Sequence, residues 1–158
     1  MRLVILLVLS TTPSTFAQTA EWDAFYAKQT EFRKRSDDAL KREQTRRKAE
    51  LCANATNGDR GISACLSAEV KTTEESYLTY VRSIGALLRL APPGEPHPTA
   101  TRLPFDDAES AWQGYHEKAA MSRQWQRTQG DVADQSCRLD LTWNHMDELV
   151  KLYGDLWH

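Results

Sequence analysis

Apolar side chains recur every three or four positions along most of this chain, and no stretch alternates in twos for long enough to suggest a strand. Residues 64–90 carry Leu66, Val70, Tyr77, Val81, Ile84 and Leu88 at near-helical spacing, which predicts an amphipathic core helix. Residues 91–98 (Ala-Pro-Pro-Gly-Glu-Pro-His-Pro) end it, because four prolines remove backbone donors and restrict the residues before them. Beyond this linker Asp106 or Asp107 is placed to cap a helix starting near Phe105, with Ala108, Ala111, Trp112, Tyr115 and Ala119 on its apolar face, Trp125 further on and Gly130 as its stop. A last helix from Asp131 carries Leu139, Trp143, Met146, Leu149, Val150, Tyr153, Leu156 and Trp157. Upstream, residues 20–51 contain neither Gly nor Pro and are rich in Ala, Glu, Lys, Arg and Gln, so a long solvated helix is expected. Its apolar content is thin, with Trp22, Phe25, Tyr26 and Phe32 in the first half and Leu40 and Leu51 later. The pattern predicts a small all-α bundle with an additional long charged N-terminal helix, either projecting or packed along the outside.

The N-terminus suggests export. Met1-Arg2 is a short positive segment, Leu3–Leu9 is a continuous apolar run, and Thr15-Phe16-Ala17 is a small-x-small ending, the pattern of a signal peptide over residues 1–17 cleaved after Ala17. The apolar run falls well short of the roughly 20 residues needed to cross a bilayer, so a permanent anchor is not expected and a periplasmic or secreted location is. In that compartment Cys52, Cys65 and Cys137 are candidates for disulfides. Cys52 and Cys65 flank a polar, glycine-containing segment able to fold back on itself, which favours their pairing. Such a closure stabilises by about 3 kcal/mol on the chain-entropy model. The odd cysteine, Cys137, would be buried, left over, or joined to a second chain. Three widely spaced thiols without a C-x-x-C or paired histidines argue against zinc, and no metal is expected.

Composition changes the picture little. At 158 residues the chain suits one small domain, and 20 Lys+Arg against 22 Asp+Glu give a net charge of only -2, so global attraction to nucleic acid is not indicated. Removing residues 1–17 takes away Arg2 and leaves -3. Locally, Arg33 to Lys48 holds eight basic residues and three acidic ones, an excess of +5, so the rest of the mature chain carries -8. Such a helix is either a solvated face or a contact for an anionic polymer. No phosphate-loop, dinucleotide, zinc-protease or nucleophile-elbow motif occurs, and Cys137 and His145, eight residues apart on one helix, would lie roughly 12 Å apart, beyond hydrogen-bond reach. Neither an enzyme nor a cofactor is expected.

Cys52 and Cys65 around a short segment, then Ala108-Glu-Ser-Ala111-Trp112-Gln-Gly-Tyr115, then Cys137-Arg-Leu-Asp-Leu-Thr142 with Leu149 beyond, resemble the LprI-like lysozyme-inhibitor domain of exported bacterial proteins. The resemblance covers roughly 52–153 and implies a helical domain at 52–158, with 18–51 as a charged extension. In that family the motif helix reads A-x-x-A-W-x-x-Y-R-D-x-x-C and the closing helix C-x-x-x-x-T-x-x-R-x-x-x-L. This chain departs from it at Ala120, where the family has its third cysteine, at His116-Glu117 in place of Arg-Asp, and at His145 in place of the closing Arg. Of the family's helix-two motif only an acid remains, Glu74. If the family pairs its first two and last two cysteines, the 52–65 bond is kept and Cys137 is orphaned. Trp112 and Tyr115 are expected to pack the core.

The resemblance implies a periplasmic binding protein that blocks a peptidoglycan-cleaving muramidase, either a host lysozyme or a competitor's toxin, in which case it would act as an immunity protein. Lysozymes are commonly basic, so exposed acids such as Glu74, Glu75, Asp106 and Asp107 are candidate contacts. The alternative is an envelope structural or adaptor protein that uses its basic N-terminal helix.

Overall fold

The computed structural model describes residues 14–96, 99–124 and 130–154, and over these the chain forms four helices and no strand: α1 (Ser14–Lys48), α2 (Gly58–Arg89), α3 (Thr99–Gln124) and α4 (Gly130–Tyr153). The apolar run Leu3–Leu9, Trp125, Leu156 and Trp157 lie outside the described residues, and the expected cleavage point after Ala17 falls in the first turn of α1.

Three boundaries differ from expectation, each for a local reason. α2 begins at Gly58, so Ile62 to Cys65 are already helical. Asn57 and Gly58 take left-handed backbone angles (φ 72° and 58°) that turn the chain into the helix. One turn on, a side chain at Gly61 would run into the Thr56 carbonyl, so only glycine fits beneath that crossing strand of backbone. α3 begins at Thr99, not near Phe105, and neither Asp106 nor Asp107 caps it. Pro104 sits in its second turn, where its missing N–H deprives only the carbonyl of residue 100 of a partner, and Asp106 reaches Arg89 at 3.2 Å instead. Gly130 opens α4 and does not close α3, which ends at Gln124.

Cross-helix pairs fix the directions. Arg46 bonds Glu69 while Phe32 lies beside Ser83, so α1 runs antiparallel to α2. Gln135 bonds Ser63 and Tyr77 lies beside His145, so α4 runs parallel to α2. Phe105 meets Tyr153 and His116 meets Thr142, so α3 is antiparallel to both. α2 and α4 form the central pair, with α1 and α3 on either side. Tyr77, Tyr80, Ile84, Phe105, Met146 and Leu149 fill one core cluster, and Leu66, Val70 and Leu139 fill a second near the Cys52–Cys65 bond. That bond is formed, with Cα atoms 5.9 Å apart. Cys137 is a free thiol buried at 7% exposure, so of the three fates left open for it the folded domain shows the buried one.

α1 packs along α2 and does not project, at least over its second half. Ala39 and Ser36 are small and fully covered there, which lets the two helices approach closely. The register places Arg89 at about the level of Tyr26, so α1 continues beyond α2. In that overhang Trp22 stacks on Tyr26 and Phe25 meets both edge-on, with ring centroids 5.4 to 5.7 Å apart, and Tyr26 is 54% exposed.

The join between α1 and the bundle is polar. Glu43, 2% exposed, accepts from Arg46 at 2.7 Å, from the Thr73 hydroxyl at 2.9 Å and from the Trp143 indole at 3.1 Å, and so ties α1 to α2 and α4. Arg46 also bonds the Glu69 carboxylate and, at 3.1 Å, the Glu69 carbonyl. Burial alone would lower the Arg46 pKa, and the bonds to Glu69 and Glu43 more than offset it. Outside this knot Arg47 reaches Asp147 at 2.5 Å and lies 5.8 Å above the Trp143 ring. Truncating Glu43 to alanine leaves the Thr73 hydroxyl and the Trp143 indole without their acceptor and Arg46 without one of its two carboxylates, and is expected to destabilise the domain by about 3 kcal/mol in urea unfolding. Glu31→Ala, which breaks only an exposed pair with Arg35, is expected to change it by less than about 0.5 kcal/mol, and similar effects of the two would contradict the account.

Candidate functional site

α3 lies along α4 and meets α2 over a shorter stretch, where Phe105 covers Gly85 and Trp112 meets Tyr77 at 4.9 Å. Where α2 and α3 separate, a cleft of about 270 Å3 opens, lined by Glu74, Tyr77, Leu78, Trp112, His116 and Glu117, with Arg138 and Thr142 of α4 behind.

The buried face of α3 is Phe105, Glu109, His116 and Ala120, with Trp112 half-buried among them. The expected face was rotated away from this one. Ala108 and Ala111 are exposed and Tyr115 is 59% exposed, so the expectation that Tyr115 packs the core does not hold. The physical reason is that half of the true inward stripe is ionisable, and such residues face inward only when satisfied there. Glu109, 5% exposed, accepts from the Tyr77 hydroxyl and faces His145 Nε2 at 3.0 Å. His145 lies flat on Trp112, with centroids 4.1 Å apart and an 8° interplanar angle. His116 Nε2 is 3.2 Å from the Thr142 hydroxyl, which itself donates to the Arg138 carbonyl at 2.8 Å. His116 Nε2 also lies 3.4 Å from the Arg138 carbonyl, so imidazole, hydroxyl and carbonyl meet at one point.

Burial, the bond to Glu109 and the charge of Glu109 together raise the Tyr77 phenol well above its ordinary pKa. The Tyr77 phenol therefore keeps its proton. Glu109 and His145 point at each other and at Tyr77, so their polar atoms orient Trp112 and the cleft wall and are not offered to a ligand. Among the described residues no group of three or more His, Cys, Asp or Glu side chains is arranged to hold a metal ion.

The sequence candidates fall into three sets. Trp112 and Glu74 line the cleft. Cys137, Thr142 and Leu149 are buried as framework, together with the Cys52–Cys65 bond. The others are elsewhere: Glu75, Asp107 and Ala111 are exposed, and Asp106 is tied to Arg89. In the basic segment Lys34 pairs with Asp38, Arg35 with Glu31, Arg46 with Glu43 and Glu69, and Arg47 with Asp147, so these four are already matched by acids. Sequence reasoning missed Glu109 and gave His116 and Glu117 no role beyond a departure from the motif. The signal that could have found them is the spacing of Glu109, Trp112 and His116, which share one helical face.

Two tyrosines one turn apart should behave differently. Tyr80 is fully covered and its hydroxyl meets no hydrogen-bonding partner among the described side chains, whereas Tyr77 donates to Glu109. Tyr77→Phe is expected to cost about 1.5–3 kcal/mol by leaving a buried carboxylate short of a donor, and Tyr80→Phe to cost nothing measurable. Burial, with Asp37 and Asp147 nearby, pushes the Tyr80 phenol from 10.0 up to about 12. Its contribution to stability is thus complete below pH 10.0 and falls above it by about 1.4 kcal/mol per pH unit, until the folded state also ionises near 12. Tyr80→Phe should flatten the alkaline limb of the stability profile, and an unchanged limb would contradict the assignment.

No known protein family, no curated protein and no solved structure matches this chain.

Proposed function

We propose that this protein is an exported, non-catalytic binding domain that blocks a peptidoglycan-cleaving muramidase by docking onto it. The observation that carries the reading is the division of labour in the bundle. The residues behind the resemblance to the lysozyme-inhibitor domain (the Cys52–Cys65 pair, Trp112, Thr142 and Leu149) are scaffold around one cleft, and the ionisable groups beneath the cleft are tied to one another. A site built this way holds a surface rigid and offers little for proton transfer. Export is supported by the disulfide.

The adaptor reading, with residues 33–48 as the contact surface, is weakened because Arg46 is tied into the interior and Arg47 is paired with Asp147 of α4. Deleting α1 does not separate the two readings, because Ala39 and Glu43 belong to the core and the domain would unfold. Reversing the exposed charges at Lys41, Arg42 and Lys48 does separate them.

Oxidised protein spanning residues 18–158 is expected to protect bacterial cells, in a dose-dependent way, against lysis by at least one muramidase among c-type, g-type and i-type lysozymes and a competitor toxin, read as turbidity. The Lys41→Glu/Arg42→Glu/Lys48→Glu variant should protect as well as the parent. Failure of the folded parent to protect against any of them contradicts the reading, and loss of protection in the triple variant shifts the contact to α1.

A further inference from the structure

The cleft between α2, α3 and α4 has an unequal supply of donors and acceptors. Several of its donors are engaged within the protein: the Thr142 hydroxyl by the Arg138 carbonyl, the Tyr77 hydroxyl by Glu109, and Arg138 Nε by Asp134 at 3.1 Å, an ion pair that offsets the one arginine charge in the lining. Its outer acceptors are not. Glu74 on α2 and Glu117 on α3 line opposite walls, and neither forms an ion pair or side-chain hydrogen bond with a described residue. Behind them lies the buried carboxylate of Glu109, which adds to the negative field. Leu78, Tyr77 and Trp112 supply the apolar and aromatic wall between.

These features select a ligand. An anion would meet two carboxylates, and a purely apolar group would strip water from them without replacing it, so both are disfavoured. At about 270 Å3 the cleft lies just under the range of small-molecule sites, about 300–1,000 Å3, and suits one long side chain better than a cofactor. A guanidinium or ammonium head on a methylene stem fits: the stem against Leu78 and Trp112, the head donating to Glu74 and Glu117.

We propose that this cleft receives a basic side chain, an arginine or a lysine, presented by the protein partner. The partner's identity as a muramidase rests on the reading above, whereas the chemistry of the cleft does not.

The test has two arms. In the first, an acetylated and amidated tri-arginine peptide is titrated into the oxidised protein and followed by NMR, with the Trp112 indole signal assigned through Trp112→Phe. Saturable shifts at Trp112 and at residues 74–78 and 113–117 are expected. Glu74→Gln/Glu117→Gln should weaken binding by at least about fivefold, and Asp106→Asn/Asp107→Asn, the same charge change outside the cleft, by less than about twofold. No saturable shift, or equal loss in the two double variants, overturns the proposal. In the second arm the same variants enter the lysis assay, with thermal midpoints recorded to verify folding. Loss of at least about tenfold in inhibitory potency is expected for the cleft variant alone. If both double variants inhibit like the parent, the basic-side-chain inference fails and the inhibitor reading stands. If the parent inhibits no muramidase, the inhibitor reading fails and the peptide titration alone decides the cleft.

Discussion

Glu43 determines how the first helix joins the rest of the molecule. A carboxylate at 2% exposure is tolerated only when its lone pairs are occupied, and here the donors come from α1 itself, from Thr73 on α2 and from Trp143 on α4. Because all three must reach one point, α1 has a single register along α2, and the Ala39 and Ser36 face is then the part that packs closely. A helix this rich in Lys, Arg and Glu has little apolar surface to hold it by burial alone. Directional bonds supply the specificity that its hydrophobic pattern lacks.

The same device recurs on the other side of α2. Glu109 gathers Tyr77 and His145, and His116 engages Thr142, so α3 is fastened to α2 and α4 by polar contacts while Phe105 and Ala120 supply its apolar burial. The cleft follows from this arrangement. α3 is held to α2 at the level of Tyr77, and beside that contact Glu74 and Glu117 line the cleft together with Leu78 and Trp112. The scaffold consumes its own polar groups and leaves a small set of acids for contact with something else, the arrangement expected of a binding protein.

The helices that bury mainly aliphatic and aromatic groups were legible in the sequence. The stripe Leu66, Val70, Tyr77 and Ile84 is core, as are Leu139, Met146 and Leu149, and the Cys52–Cys65 bond follows from the composition of the segment between them. What escaped was polar. Thr73, Ser76, Ser83 and Tyr80 are buried on α2 because it has neighbours on nearly every side, yet three of them read as surface residues. On α3 the apolar residues Ala108, Ala111 and Tyr115 mark the outer face, since Glu109 and His116 are paid for by partners on other helices that no local pattern reveals. The candidate acids divided for the same reason: Glu74 lies at the cleft, whereas Asp106 is bound to Arg89, a contact set by the earlier start of α3.

The scaffold, which includes the second half of α1, is thus distinct from the cleft lined by α2 and α3, the proposed binding surface. Hydrogen–deuterium exchange of the protein, alone and in the presence of saturating muramidase, the proposed partner, tests that separation most directly. New protection at residues 74–78 and 112–117, with residues 33–48 exchanging as they do in the free protein, is the predicted result. Protection along 33–48 with no change at the cleft would contradict it.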